Sequence, residues 1–394
     1  MKRVKISEVC IISNGYAFKS SKYVNDEGAR IIRITNVQKG KIEDNDPKLY
    51  PFEELEKLDS YKIFEGDILM SLTGNVGRVG KFPKKLLPAY INQRVCRVMP
   101  KNDSLDVNYL FHYLNSSIFE NEAINNSAGA AQLNLSSKWL ANHEIPLPPL
   151  AEQQVIAEKL DQAQKIIDLN EAEVARYDKL AQALFIDMFG DPVQNPKGWE
   201  MKKLGEITNK IGSGATPRGG KESYKEEGIA LIRSMNVYDN RFFYKDLAFI
   251  DSAQADKLKN VCVEENDILF NITGASICRS TIVPKDVLPA RVNQHVSIIR
   301  MKKSVATPLF VNHLLISASV KRSLLNIGSG GGAIMQAITK QGLEDFEIIL
   351  PPITLQNEFA KRIEQIELLK NQAQQELEQS KNLFQSLLQE SFKG

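Results

Sequence analysis

Two short stretches carry residue types that could meet an anionic, hydrogen-bonding ligand. They are Ser71-Leu72-Thr73-Gly74-Asn75-Val76-Gly77-Arg78 and Asn271-Ile272-Thr273-Gly274-Ala275-Ser276-Ile277-Cys278-Arg279. Hydroxyl and amide side chains beside glycine leave backbone N–H groups within reach, and each arginine adds a planar cation with five donors. Downstream of the first stretch the chain runs to Asn102 with seven basic residues and no acid: Arg78, Lys81, Lys84, Lys85, Arg94, Arg97 and Lys101. The matching region of the second has Arg279, Lys285, Arg291, Arg300, Lys302 and Lys303 against a single acid, Asp286. Basic character at two matched places is the electrostatic footprint of a phosphate backbone. The bland reading of each element is a glycine turn between strands and a solvated basic face.

Chemistry of other kinds finds no support. No Asn/Asp-Pro-Pro-aromatic motif of an amino-methyltransferase is present, because the proline pairs here sit in Leu-Pro-Pro. No GxGxxG follows a strand-like run, and Asp46-Pro47-Lys48 is only a fragment of a nuclease signature. The glycine-rich run 328–332 lacks the Gly-Lys-Ser/Thr ending of a nucleotide-binding loop, so it reads as a flexible loop able to approach phosphates. His112, His143, His295 and His313 lack ligand spacing, and His112 and His313 read as structural helix residues. Cys10, Cys96, Cys262 and Cys278 are scattered without CxxC spacing, which points away from zinc and disulfides and towards a reducing compartment. No catalytic residue and no metal ligand is assigned. The N-terminus lacks an apolar signal core and no apolar run approaches a membrane span, so a cytoplasmic chain is expected.

The elements that position these stretches come twice. With 394 residues and 43% hydrophobic content, two cores plus connectors are expected. Ile32-Arg33-Ile34-Thr35-Asn36-Val37 recurs as Ile232-Arg233-Ser234-Met235-Asn236-Val237. Asp67-Ile68-Leu69 recurs as Asp267-Ile268-Leu269, Asn92-Gln93 as Asn293-Gln294, and Leu147-Pro148-Pro149 as Leu350-Pro351-Pro352. Within each copy, β-rich runs (29–37, 67–72) alternate with helical patterns (51–59 and 107–119; 252–259 and 308–325). These patterns predict an α+β unit with a curved antiparallel sheet.

Each copy ends in a heptad seam. The first is Ile156, Leu160, Ala163, Ile167, Asn170, Val174, Tyr177, Ala181, Leu184 and Met188. The second is Phe359, Ile363, Ile366, Ala373, Leu377, Phe384 and Leu387. Equal length and phase predict two helices paired with each other, with Asn170, Lys370 and Ser380 as polar register residues. The expected divisions are 1–146, 147–189, 190–349 and 350–394, with 190–198 as the linker into the second unit. From these residues alone, a DNA-recognition chain and a coiled-coil interaction scaffold both stand, and salt-dependent DNA binding separates them.

The two-copy plan, Leu147-Pro148-Pro149-Leu150-Ala151-Glu152-Gln153 and Met188-Phe189-Gly190-Asp191-Pro192 resemble the specificity subunit of type I restriction-modification systems over essentially the whole chain. Copy two departs from this pattern with Ile353-Thr354-Leu355 before Gln356, and Met1 stands where copy two has Trp199. The resemblance implies two α/β target recognition domains separated by two long helices in an antiparallel coiled coil. It implies a non-catalytic subunit that binds a bipartite double-stranded DNA site and recruits two adenine-N6 methyltransferase subunits and restriction subunits. S-adenosylmethionine, ATP and magnesium would then sit on the partners and none on this chain.

Within that frame the repeat sorts the candidates. Residues shared by the copies (Arg33/Arg233, Asn36/Asn236, Asn92/Asn293, Gln93/Gln294) are expected to serve the fold or generic backbone contacts. Asn75, Arg94 and Arg97 in copy one, and Ser276, Arg291 and His295 in copy two, are the expected base readers. Ser71, Thr73, Arg78 and Lys81, with Asn271, Thr273 and Arg279, complete the expected DNA-contact set.

Overall fold

The computed structural model describes residues 2–129, 133–217, 219–328 and 337–393. The chain divides into two units, Met1–Glu171 with Gln375–Gly394, and Ala172–Gln374. The two long helices, Leu150–Phe189 and Ile353–Phe392, are each 40 residues. Each helix gives one half to each unit.

In unit 1, the strands Cys10–Asn14, Val95–Pro100, Ile68–Ser71, Val79–Lys81, Gly40–Ile42 and Val37–Gln38 form one sheet in that spatial order. A three-stranded sheet places Ala29–Ile32 between Leu49–Tyr50 and Ala89–Ile91. Arg3–Lys5 pairs with Glu144–Pro146, and this short ribbon hands the chain to Pro148-Pro149 and the first long helix. Alternation along Val95–Pro100 turns Cys96 and Val98 into a core closed by Tyr109, Leu110, Tyr113 and Phe119. Leu160, Ala163 and Ile167 of the first long helix and Phe384, Leu388 and Phe392 of the second complete it. Their pairing is pinned by Asn170 Nδ2 donating to Ser380 Oγ at 2.9 Å and by a Lys381–Glu171 ion pair.

Unit 2 repeats the plan. Thr208–Ser213, Val296–Met301, Ile268–Asn271 and Ser280–Ile282 form one sheet, and Ala248–Ile250, Ile229–Ile232, Ala290–Val292 and Cys262–Val263 another. The core against the long helices centres on Phe185, Phe189, Phe310 and Phe359, with Phe189 edge-on to Phe310 at 4.8 Å. Lys370 Nζ reaches Asp178 Oδ1 at 2.6 Å across the helix pair. In both units, residue numbers rise along one helix as those of its partner fall, the antiparallel arrangement that the matched seams predict. All three polar seam residues are engaged as register contacts.

The local predictions need five corrections. The sheets are mixed, because Ala29–Ile32 runs parallel to Ala89–Ile91, Gly40–Ile42 to Val79–Lys81, and Ile229–Ile232 to Ala290–Val292. Residues 51–59 form only 3-10 turns, Phe52–Glu54 and Asp59–Tyr61, because Glu53, Glu54, Glu56 and Lys57 leave Leu55 as the one buried side chain there. The 107–119 pattern is two helices, Val107–Leu114 and Ser117–Asn125, because the Ser116 hydroxyl caps Phe119 N–H and starts a new helix. The 308–325 pattern breaks at Ser317, whose hydroxyl donates back to Leu314 O at 2.7 Å, and 252–259 shortens to Ser252–Asp256 with a following 3-10 turn.

Candidate nucleic-acid interface

The two expected contact loops share one backbone. Ser71 N–H donates to Arg78 O at 3.0 Å, as Asn271 N–H does to Arg279 O at 2.9 Å. Leu72 N–H donates to Arg94 O and Ile272 N–H to His295 O, both at 3.0 Å. Gly77 and Cys278 occupy the same left-handed position, φ 75° and 65°, although the second loop has one more residue. At Gly77 a Cβ would lie 3.1 Å from the Ala123 side chain, so glycine fits that site in copy one. The shared asparagines hold the neighbouring turn: Asn36 and Asn236 Oδ1 accept from the N–H of Arg33 and Arg233 at 2.9 and 3.0 Å. Arg33 and Arg233 bond the carbonyls of Asp46 and Asp246, and Asn293 accepts from His295 N–H. Gln294 accepts from the Thr216 hydroxyl, so each of the four shared pairs includes a residue bonded within the protein.

On this common frame the side chains differ. In copy two, Thr273 Oγ1 meets His295 Nδ1 at 2.6 Å, and the Arg279 guanidinium lies 4.2 Å from the Tyr238 ring centroid. Thr273, Ser276, Arg279 and His295 line one open cleft of about 470 Å³ with Met235 and Tyr238. In copy one, Arg78 Nη1 donates to Gln38 Oε1 at 2.8 Å, and Gln38 passes the bond on to Thr35 O. Thr73 donates to Asn134 Oδ1 at 2.8 Å, while Asn75 and Arg94 are exposed. The sequence reading missed Gln38 and Tyr238, two residues beyond the shared asparagine. They are equivalent positions of different chemistry facing the loop arginine, a signal available from the repeat.

Five expected contacts are taken up by the protein itself. Ser71 is fully buried and donates to Asn75 O. Asn271 is fully buried, with Nδ2 on Ser234 O at 2.9 Å and its Oδ1 unpartnered. Lys81 is bound to Asn108 and lies over Phe111, and burial pushes its pKa down. Arg291 is buried against Ala255 O, Ala290 O and the Cys262 thiol. Arg97 bonds Asp67 Oδ2 at 3.1 Å and Lys62 O at 2.9 Å. In copy two Asp267 takes Arg300 instead, by two bonds of 2.8 Å. The two arginines stand at different strand positions, since Arg97 pairs with Leu69 whereas Leu269 pairs with Ile298. The basic stretches are therefore interrupted by internal ion pairs. Lys285 also bridges to Glu265, and Lys101 and Lys302 bond backbone carbonyls.

The histidines on the helices are buried. His112 Nε2 lies 2.7 Å from Asp161 Oδ1, and burial pushes the His313 pKa down to about 4. The glycine run 328–332 lies outside the described residues after Gly328. Among the described residues no helix is long and apolar enough to cross a membrane.

Residues 1–176 and 196–379 each match the type I restriction modification DNA specificity domain. The EcoBI specificity subunit of Escherichia coli is 28% identical, covering 100% of this chain and 85% of that protein. The EcoKI specificity subunit of Escherichia coli K12 is 24% identical over 99% of this chain and 88% of its own length. The crystal structure of the S subunit of the type I restriction-modification system of M. genitalium shares the fold, with TM-score 0.57 and 14% identity. That alignment covers 100% of this chain and 96% of the other.

Proposed function

The chain belongs to the type I restriction modification DNA specificity family, as a specificity subunit rather than an enzyme, and from that premise we propose how it works. Each unit reads one half of a bipartite double-stranded DNA site, and the paired helices set the gap between the halves. Two adenine-N6 methyltransferase subunits dock on the helices, and restriction subunits join that assembly. S-adenosylmethionine, ATP and magnesium belong to those partners.

One observation carries this reading: around two loops of the same hydrogen-bonding frame stand different side chains, Gln38, Asn75 and Arg94 against Tyr238, Ser276 and His295. A constant frame with variable tips suits one docking mode on two unlike half-sites. Exposed apolar residues at matched helix positions support paired docking surfaces. Ile166 and Leu369 are 49% and 46% exposed, and Leu180 and Leu383 are 50% and 56%.

The test is co-expression with the cognate methyltransferase, followed by mapping of methylated adenines. The expected outcome is a complex with two methyltransferases per chain and one bipartite motif. Exchanging residues 1–146 for another recognition domain should then replace one half of the motif and leave the other. A chain that binds no methyltransferase, or an exchange that changes both halves, would refute the reading.

A further inference from the structure

The Arg279 guanidinium is a loop cation of unit 2 that is part-exposed and held against an aromatic ring. It lies over the Tyr238 ring at 4.2 Å, and among the described residues no acceptor takes any of its side-chain N–H groups. Its counterpart in copy one has surrendered a donor to Gln38 Oε1. The other arginines of the basic stretch in unit 2 are committed, Arg291 to carbonyls and a thiol, Arg300 to Asp267 and Glu264. Among the described residues the cleft offers no carboxylate; Ser234, Met235, Thr273, Ser276, His295 and Ala337 are among those that line it. Thr273 fixes the His295 ring at 2.6 Å on the same cleft.

A guanidinium stacked on an aromatic face loses little further freedom when its edge meets a planar acceptor pair. Guanine presents such a pair, O6 and N7, in the major groove. A phosphate would accept the same cation, but it needs no fixed plane and carries no sequence information. We infer that Arg279, oriented by Tyr238, is a specificity-determining residue that reads a guanine in the half-site of the second unit. The inference rests on the proposed role of the unit as a DNA reader. Tyr238 is the positioning residue, because it holds the guanidinium plane and makes no base contact of its own.

The experiment selects sites from a randomised duplex library, using the full chain assembled with its methyltransferase partner. Wild-type complex should enrich a bipartite motif, and if it enriches none, the proposed function fails before the arginine is tested. With that motif in hand, Arg279→Ala should lose preference at a single guanine of one half-site by roughly 10- to 100-fold, leaving the other positions intact. Tyr238→Phe should retain that preference and Tyr238→Leu should weaken it. Arg279 lies in a half-exposed loop, and an unchanged melting temperature confirms that each variant is folded. Equal weakening on every sequence, with a salt dependence reduced by about one counterion, would make Arg279 a phosphate contact and overturn the inference. An unchanged motif would overturn it as well, as would a Tyr238→Leu complex as selective as Tyr238→Phe.

Discussion

His313 lies edge-on to Phe359 at 5.3 Å, and burial, followed by the nearby Lys370 charge, pushes its pKa from 6.5 to about 4. Below pH 6.5 the unfolded chain binds a proton at this position that the folded chain refuses. The stability contributed by neutral His313 is thus complete above pH 6.5 and declines as the pH falls towards 4. Denaturant titrations across that window should show the decline in wild type and a shallower one in His313→Leu; identical slopes would remove His313 as the cause. At this scale the sequence was legible where a residue's job is local. The shared Asn36 and Asn236, expected to serve the fold or generic backbone contacts, hold the N–H groups three residues before them. It was not legible where the partner is remote. Arg97 finds Asp67, thirty residues upstream, and Arg291 disappears among Ala255, Cys262 and Ala290. Charge counting cannot distinguish a cation facing solvent from one neutralised by a neighbouring strand.

Each long helix is fastened to its own unit by a glutamine one turn in. Gln153 Oε1 accepts from Asp106 N–H at 2.8 Å, and its Nε2 donates to Ser104 O and Pro148 O. Gln356 repeats this with Thr307 N–H, Val305 O and Pro351 O, and both side chains are fully buried. The Ile353-Thr354-Leu355 departure in copy two therefore leaves the fastening intact. Gln356→Leu strands one donor and two acceptors, which should cost roughly 2–4 kcal/mol. Unfolding followed by Trp199 fluorescence in a Trp139→Phe background checks this, and a cost below about 0.5 kcal/mol would mean the site relaxes. The seams were readable because a period of seven survives any detail of packing. The helix breaks at Ser116 and Ser317 were missed because apolar spacing runs through a serine whose hydroxyl starts the next helix or bonds back to the last one.

For the whole molecule, the proposed ruler makes a geometric demand. Inserting seven residues after Glu171 and seven after Gln374 keeps both seams in phase and adds ~10 Å of helix, about three base pairs of DNA. Methylation mapping should show both half-sites unchanged and the gap longer by that amount. Persisting methylation at the original gap would exclude the helices as its determinant. The twofold plan was legible from the repeat alone. The exchange of helix halves between the units was not, since it depends on which end of a seam meets which core. That exchange sets an order of events during synthesis. Unit 2 is one continuous segment, whereas the core of unit 1 includes Phe384, Leu388 and Phe392. Domains generally fold in the order in which they leave the ribosome. Here the half translated first cannot complete its core until residues 384–392 have been made, after the whole of unit 2.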